Sequence, residues 1–287
     1  MRRLAYLSIC AVTFMLPFEN MLGIDETFSG IRVVGIVCAV LCLAGLFEGK
    51  ELRLPSVPML ALLPFFTWCV LSIIWSSEAG RTSSVLLRMA NLVFFLWTIW
   101  EYCRTRGEFL WMMRSYLWGH VVPFYMIARN RTAVIGQLGD NEILRATGGG
   151  HDQNYLSALM VIGMLMSVYL FSIARVGTWY RWLYIAFIAL AVPSVFLTGS
   201  RAGFVGLLMV VVWTMIYLGA RGRIVISFVG LIVACFIGYF VAQIIVPAAT
   251  LARVIGTENY QGAELRNRFD IWETGYAAFQ KRPLEGV

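Results

Sequence analysis

The chain has 287 residues, of which 60% are hydrophobic and 14% charged, with a mean hydropathy of +0.75. Soluble domains average roughly 45–50% apolar and about 25% charged residues, so a water-soluble domain is excluded and an all-α, polytopic integral membrane protein is expected. The net charge of +7 does not indicate nucleic acid as a partner, because the basic residues are scattered between apolar runs instead of gathered on one surface.

A membrane-crossing helix needs about 20 mostly apolar residues. By that measure about nine candidates follow in chain order, near 4–22, 30–47, 57–76, 82–102, 108–128, 153–174, 180–198, 201–219 and 223–246. The first begins Met1-Arg2-Arg3 like a signal peptide, but no small-residue cleavage site follows and further spans do, which predicts an uncleaved helix. Residues 1–246 read as a transmembrane helical domain, and 247–287 as the beginning of a large periplasmic loop. The six cysteines lie in or beside apolar runs without a C-x-x-C pair. No disulfide, metal site or cofactor is expected from them.

Arg2 and Arg3, Lys50 and Arg53, Arg104 and Arg106, Arg175 and Arg181, and Arg221 and Arg223 recur at every second span boundary. The positive-inside rule places those boundaries, and the N-terminus, in the cytoplasm. The alternate boundaries then carry arginines that the rule does not predict: Arg81, Arg129, Arg131, Arg145, Arg201, Arg253, Arg266 and Arg268. Arg201 stands apart, because apolar helix flanks it on both sides and an arginine so placed needs a partner or a wet cavity.

In the fourth span Arg81, Ser84, Arg88 and Asn91 fall at i, i+3, i+7 and i+10, one helical face. Such a stripe is expected to face the bundle. Arg88 then either lines an anion cavity or bonds helix carbonyls. In the Gly199-Ser200-Arg201 segment the glycine permits close approach, and the guanidinium fork suits a diphosphate. Farther on, Arg266, Arg268 and Trp272 precede Phe279; an amphipathic helix on the membrane surface would also explain this segment. His151 beside Asp152 could act as a base, although Asp152 equally suits a helix N-cap. His120, mid-span, is read as an internally bonded histidine. Every carboxylate lies near a span end or in a loop, which argues against ion-coupled transport.

Three segments carry a family resemblance: Arg145-Ala-Thr-Gly with Asp152-Gln-Asn154-Tyr, Leu197-Thr-Gly-Ser-Arg201-Ala-Gly-Phe, and Arg268-Phe-Asp-Ile-Trp272 with Pro283-Leu-Glu-Gly-Val. In order and spacing they resemble the bacterial O-antigen ligase and polymerase family, and Arg88 matches a frequent position of that family. The resemblance implies a multi-pass protein of the bacterial inner membrane with a large periplasmic loop. It implies metal-independent transfer of a glycan from undecaprenyl pyrophosphate to lipid A-core or another glycan. Arg201 and Arg268 match the arginines that grip the pyrophosphate and are expected to be catalytic. Arg88, Arg145, Arg266, Ser200 and Asn154 are expected to bind substrate. The family's loop histidine has no counterpart after His151, so the natural gene is expected to continue beyond Val287. A non-catalytic transporter or binding protein for lipid-linked glycans is the alternative.

The alternating boundaries predict that reporter fusions at 105, 178 and 222 behave as cytoplasmic and those at 140 and 260 as periplasmic. A cytoplasmic signal at 260 would contradict this topology.

Overall fold

The computed structural model describes residues 1–25, 28–47, 52–76, 78–135, 152–175, 177–219, 240 and 261–281. Ten helices occur among them: α1 (Arg2–Met15), α2 (Gly30–Leu46), α3 (Val57–Leu71), α4 (Ala79–Tyr102), α5 (Arg106–Gly119), α6 (Val121–Ile135), α7 (Gln153–Ile173), α8 (Tyr180–Leu197), α9 (Arg201–Gly219) and α10 (Gln261–Lys281). A short antiparallel strand pair, β1 (Gly23–Asp25) with β2 (Phe28–Ser29), lies between α1 and α2. Four described segments are long and apolar enough to cross a membrane: Val57–Ile74, Ala79–Tyr102, Gln153–Ile173 and Tyr180–Leu197. Two shorter apolar helices are Gly30–Leu46 and Arg201–Tyr217. The candidate span at 223–246 lies outside the described residues.

Two expected spans are broken, each near a proline. The run at 108–128 is divided into α5 and α6 at His120. Pro123 has no N–H to offer the Gly119 carbonyl four residues back, so that helical bond is unmade at the break. Gly119 also packs so tightly that a Cβ there would overlap the Phe14 carbonyl oxygen. In the first run α1 stops at Met15, and a 3₁₀ turn, Leu16–Leu22, carries Pro17.

The chain divides into two units. The first comprises Met1–Ile9, Ala39–Glu108 and Glu258–Val287. Within it, three boundaries that the charge pattern assigns to one side come together. Arg2 pairs with Glu108 at 2.9 Å, Arg104 pairs with Glu101, and the Arg53 amide donates to Glu101 Oε2 at 2.9 Å. Thr105 and Glu108 form a capping box at the start of α5: Glu108 N–H donates to Thr105 Oγ1 at 3.1 Å and Thr105 N–H to Glu108 Oε2 at 2.9 Å. At the end of α4 the Tyr102 hydroxyl donates to the Cys42 carbonyl, which joins α4 to α2.

The second unit comprises Cys10–Cys38 and Phe109–Thr257. Here α7 is the central helix and packs against both α8 and α9. Leu156, Met160, Met164 and Leu170 from α7 meet Phe187, Ala191 and Val195 from α8 and Leu207 and Val210 from α9. Glycines set the spacing. A Cβ on Gly163 would lie 2.5 Å from the Phe187 ring, and one on Gly203 would lie 2.6 Å from Ser157 Cβ. His120 is fully buried, with Nδ1 3.0 Å from the Tyr116 carbonyl and its ring edge-on to Phe187. It is bonded internally, as expected.

Gly203→Val therefore forces α9 away from α7. Overpacking of this kind typically costs about 1–3 kcal/mol. Thermal unfolding in detergent should show a lowered midpoint, and an unchanged midpoint would mean that the close approach does not support the bundle.

Candidate functional site

At one end of the second unit, two helices begin and one ends. α8 finishes at Leu197, and Gly199 takes a positive φ of 60°, a conformation glycine adopts without steric cost. Thr198, fully buried, donates its hydroxyl to the Val195 carbonyl at 2.7 Å, and Gly199 N–H returns to the Phe196 carbonyl at 3.0 Å. The chain reverses, and Ser200 caps α9. Its Oγ accepts from Gly203 N–H at 3.1 Å, while its carbonyl accepts from Phe204 N–H at 3.0 Å.

The same Ser200 hydroxyl donates to Asn154 Oδ1 at 2.7 Å. Asn154 lies in the first turn of α7, which Asp152 caps by accepting from Asn154 N–H at 2.8 Å and Tyr155 N–H at 3.2 Å. Asp152 is thus the N-cap that the sequence suggested. The Ser200–Asn154 bond ties two helix N-termini together, and both turn positive dipole ends toward the same place. Arg201 is the first residue of α9 and is half-buried. Among the described residues it makes no hydrogen bond or ion pair, so its five donors are available to a ligand.

The arrangement favours an anion. Two helix N-termini at one end of the unit and an arginine at the start of one of them are elements from which phosphate sites are built. Thr198 and Gly199 end α8, Ser200 starts α9 and Gly203 admits α7, while the Arg201 side chain has no such duty among the described residues. The pairing of Ser200 with Asn154, 46 residues apart, had no signal in the sequence.

The remaining expected residues are placed differently. Arg145 and His151 lie outside the described residues. Arg88 belongs to the first unit, is exposed, and donates Nε to the Ser84 carbonyl of its own helix at 3.4 Å. Arg81, Ser84 and Asn91 are exposed as well. The expectation that this stripe faces inward is therefore corrected: the buried residues of α4 are Thr98, Glu101 and Tyr102, all at its other end. Arg266 and Arg268 lie on α10 in the first unit. On that helix Phe269, Trp272, Tyr276 and Phe279 share one face and are exposed, with Phe269 and Trp272 in edge-to-face contact at 5.5 Å. This is the aromatic face of an amphipathic helix.

Loss of the Ser200 hydroxyl removes an N-cap and the tie to α7 together. Ser200→Ala should cost about 0.5–2 kcal/mol, as caps do. Equilibrium unfolding in detergent checks this, and a variant as stable as the parent would show that the tie carries no load.

Comparison with known proteins bears on the same segment. Residues 186–287 match the family model Wzy_C, described as O-antigen ligase. The match begins within α8 and includes Ser200, Arg201, Arg266 and Arg268; Arg88, Arg145 and Asn154 precede it. No curated protein and no solved structure matches the chain. The chain thus has helices long and apolar enough to cross a membrane, and its C-terminal third is similar to the O-antigen ligase family model, so the family resemblance is borne out there.

Proposed function

We propose that this protein is a glycan transferase that uses undecaprenyl pyrophosphate as donor carrier and delivers the glycan to lipid A-core or another glycan at the periplasmic face of the inner membrane. The observation that carries the reading is Arg201 at the joined N-termini of α7 and α9, with no partner among the described residues. In the reaction an acceptor hydroxyl oxygen attacks the anomeric carbon. The bond from that carbon to the pyrophosphate oxygen breaks, and the leaving group takes the electron pair. The hydroxyl proton passes to a general base. Negative charge develops on the departing pyrophosphate, and the Arg201 guanidinium at the helix N-termini stabilises it.

In this reading Arg201 grips the pyrophosphate, and Ser200 and Asn154 hold it in place. The family resemblance extends donor binding to Arg268, with Arg266, and to Arg145. Arg88, exposed and bonded to its own helix, has the weaker case for contact with donor.

Removal of one such donor commonly lowers turnover about 10²–10³-fold. Arg201→Ala should lose transfer to that extent in the full-length protein at matched expression. Arg201→Lys should recover little, because lysine keeps the charge but not the fork. Near-normal transfer by Arg201→Ala would refute the assignment. Donor binding without any transfer by the parent protein would favour the carrier reading.

A further inference from the structure

A second arginine of the same unit has no counter-charge, and it lies at the other end of α8. Arg114 is on α5, eight residues after Arg106 and so roughly 12 Å along the helix at 1.5 Å per residue. It is half-buried. Its Nε donates to the Tyr184 hydroxyl at 3.0 Å. The Trp111 and Tyr180 rings face its guanidinium at 5.1 and 5.9 Å. Rings of this kind stabilise a cation but do not neutralise it. Among the described residues no carboxylate pairs with Arg114, and its two Nη groups donate to none of them. A half-buried cation in this condition is well placed to bind an anion.

The groove around Arg114 shows which anion. It measures about 400 Å³ and runs between α5, α6 and α8. At one end stand Arg114 and the exposed Trp111 and Trp179, an interfacial aromatic belt. From Leu183 in the first turn of α8 to Leu190 near its middle, with Val121 of α6, the lining is exposed and apolar. The groove is therefore cationic at the interface and apolar toward the membrane interior. Arg175 and Arg181 add positive charge at the same end of α8. Ser200 and Arg201 lie beyond the opposite end of this 18-residue helix, roughly 27 Å away along its axis.

We propose that this groove is a binding site for an anionic glycerophospholipid. The phosphate accepts from the free Nη groups of Arg114, and an acyl chain lies along Leu183 and Leu190. A zwitterionic lipid also has a phosphate, but its ammonium would meet the basic surroundings of Arg114. The groove therefore selects for a headgroup without a cation.

The test is native mass spectrometry of the full-length protein, delipidated and titrated with phosphatidylglycerol or phosphatidylcholine. The parent protein should retain one phosphatidylglycerol at least about tenfold more tightly than phosphatidylcholine, a difference of about 1.4 kcal/mol. Arg114→Gln should erase the preference, and Arg114→Lys should keep part of it. Arg201→Gln, at the other end of α8, should leave it intact, which separates this site from the donor site. Leu190→Trp, which fills the apolar end without touching the charge, should weaken retention of both lipids and serves if Arg114→Gln fails to fold. Equal retention of the two lipids by the parent, or an undiminished preference in Arg114→Gln, would overturn the proposal.

Discussion

The candidate site depends on one hydrogen bond, from Ser200 Oγ to Asn154 Oδ1 at 2.7 Å. It joins residues that start different helices; Ser200 is 2% exposed, so its hydroxyl would be costly to leave unpaired, while Asn154 is exposed. The geometry on either side of it is determined in turn. Asp152 caps the helix that carries Asn154, Gly199 supplies the left-handed turn that delivers Ser200, and Gly203 lets α9 lie against Ser157 of α7. With those groups occupied, Arg201 is held by its backbone while its side chain has no partner among the described residues.

Two arginines of the second unit with no carboxylate partner among the described residues, Arg114 and Arg201, sit toward opposite ends of α8 in unlike surroundings. Arg201 stands among helix N-termini and hydroxyls, a setting suited to a multiply charged phosphate. Arg114 stands among indole and phenol rings above an apolar trough, a setting suited to one phosphate on a lipid. In the first unit, by contrast, Arg2 and Arg104 are matched with Glu108 and Glu101. The difference separates cations that organise a helix boundary from cations left for ligands.

Much of the helix plan was legible, because a buried or lipid-facing helix announces itself by an unbroken apolar run. The starts of α3, α7, α8 and α9 fall at the residues where those runs begin. The breaks at Met15 and Gly119 were not read, since an apolar run averages over the single prolines that lie near them. A capping box at Thr105 and Glu108 was legible in principle as Thr-x-x-Glu. The Arg81–Asn91 stripe shows a different limit: periodicity identifies a face but not what lies opposite it, and here that face is open. Ser200, Arg201 and Asn154 could each be singled out from composition, motif and resemblance. Their meeting depends on how α7, α8 and α9 stack, which a local pattern does not encode.

The central claim is that the tie between the two helix starts is what presents Arg201 to the donor. A double-mutant cycle on the affinity for undecaprenyl pyrophosphate, with Ser200→Ala and Asn154→Ala, tests it most directly. Contacting residues that act as one unit show coupling of about 0.5–3 kcal/mol. The account predicts that each single variant weakens binding and that the double variant is no weaker than the poorer single. Losses that simply add, or single variants that bind as tightly as the parent, would contradict it.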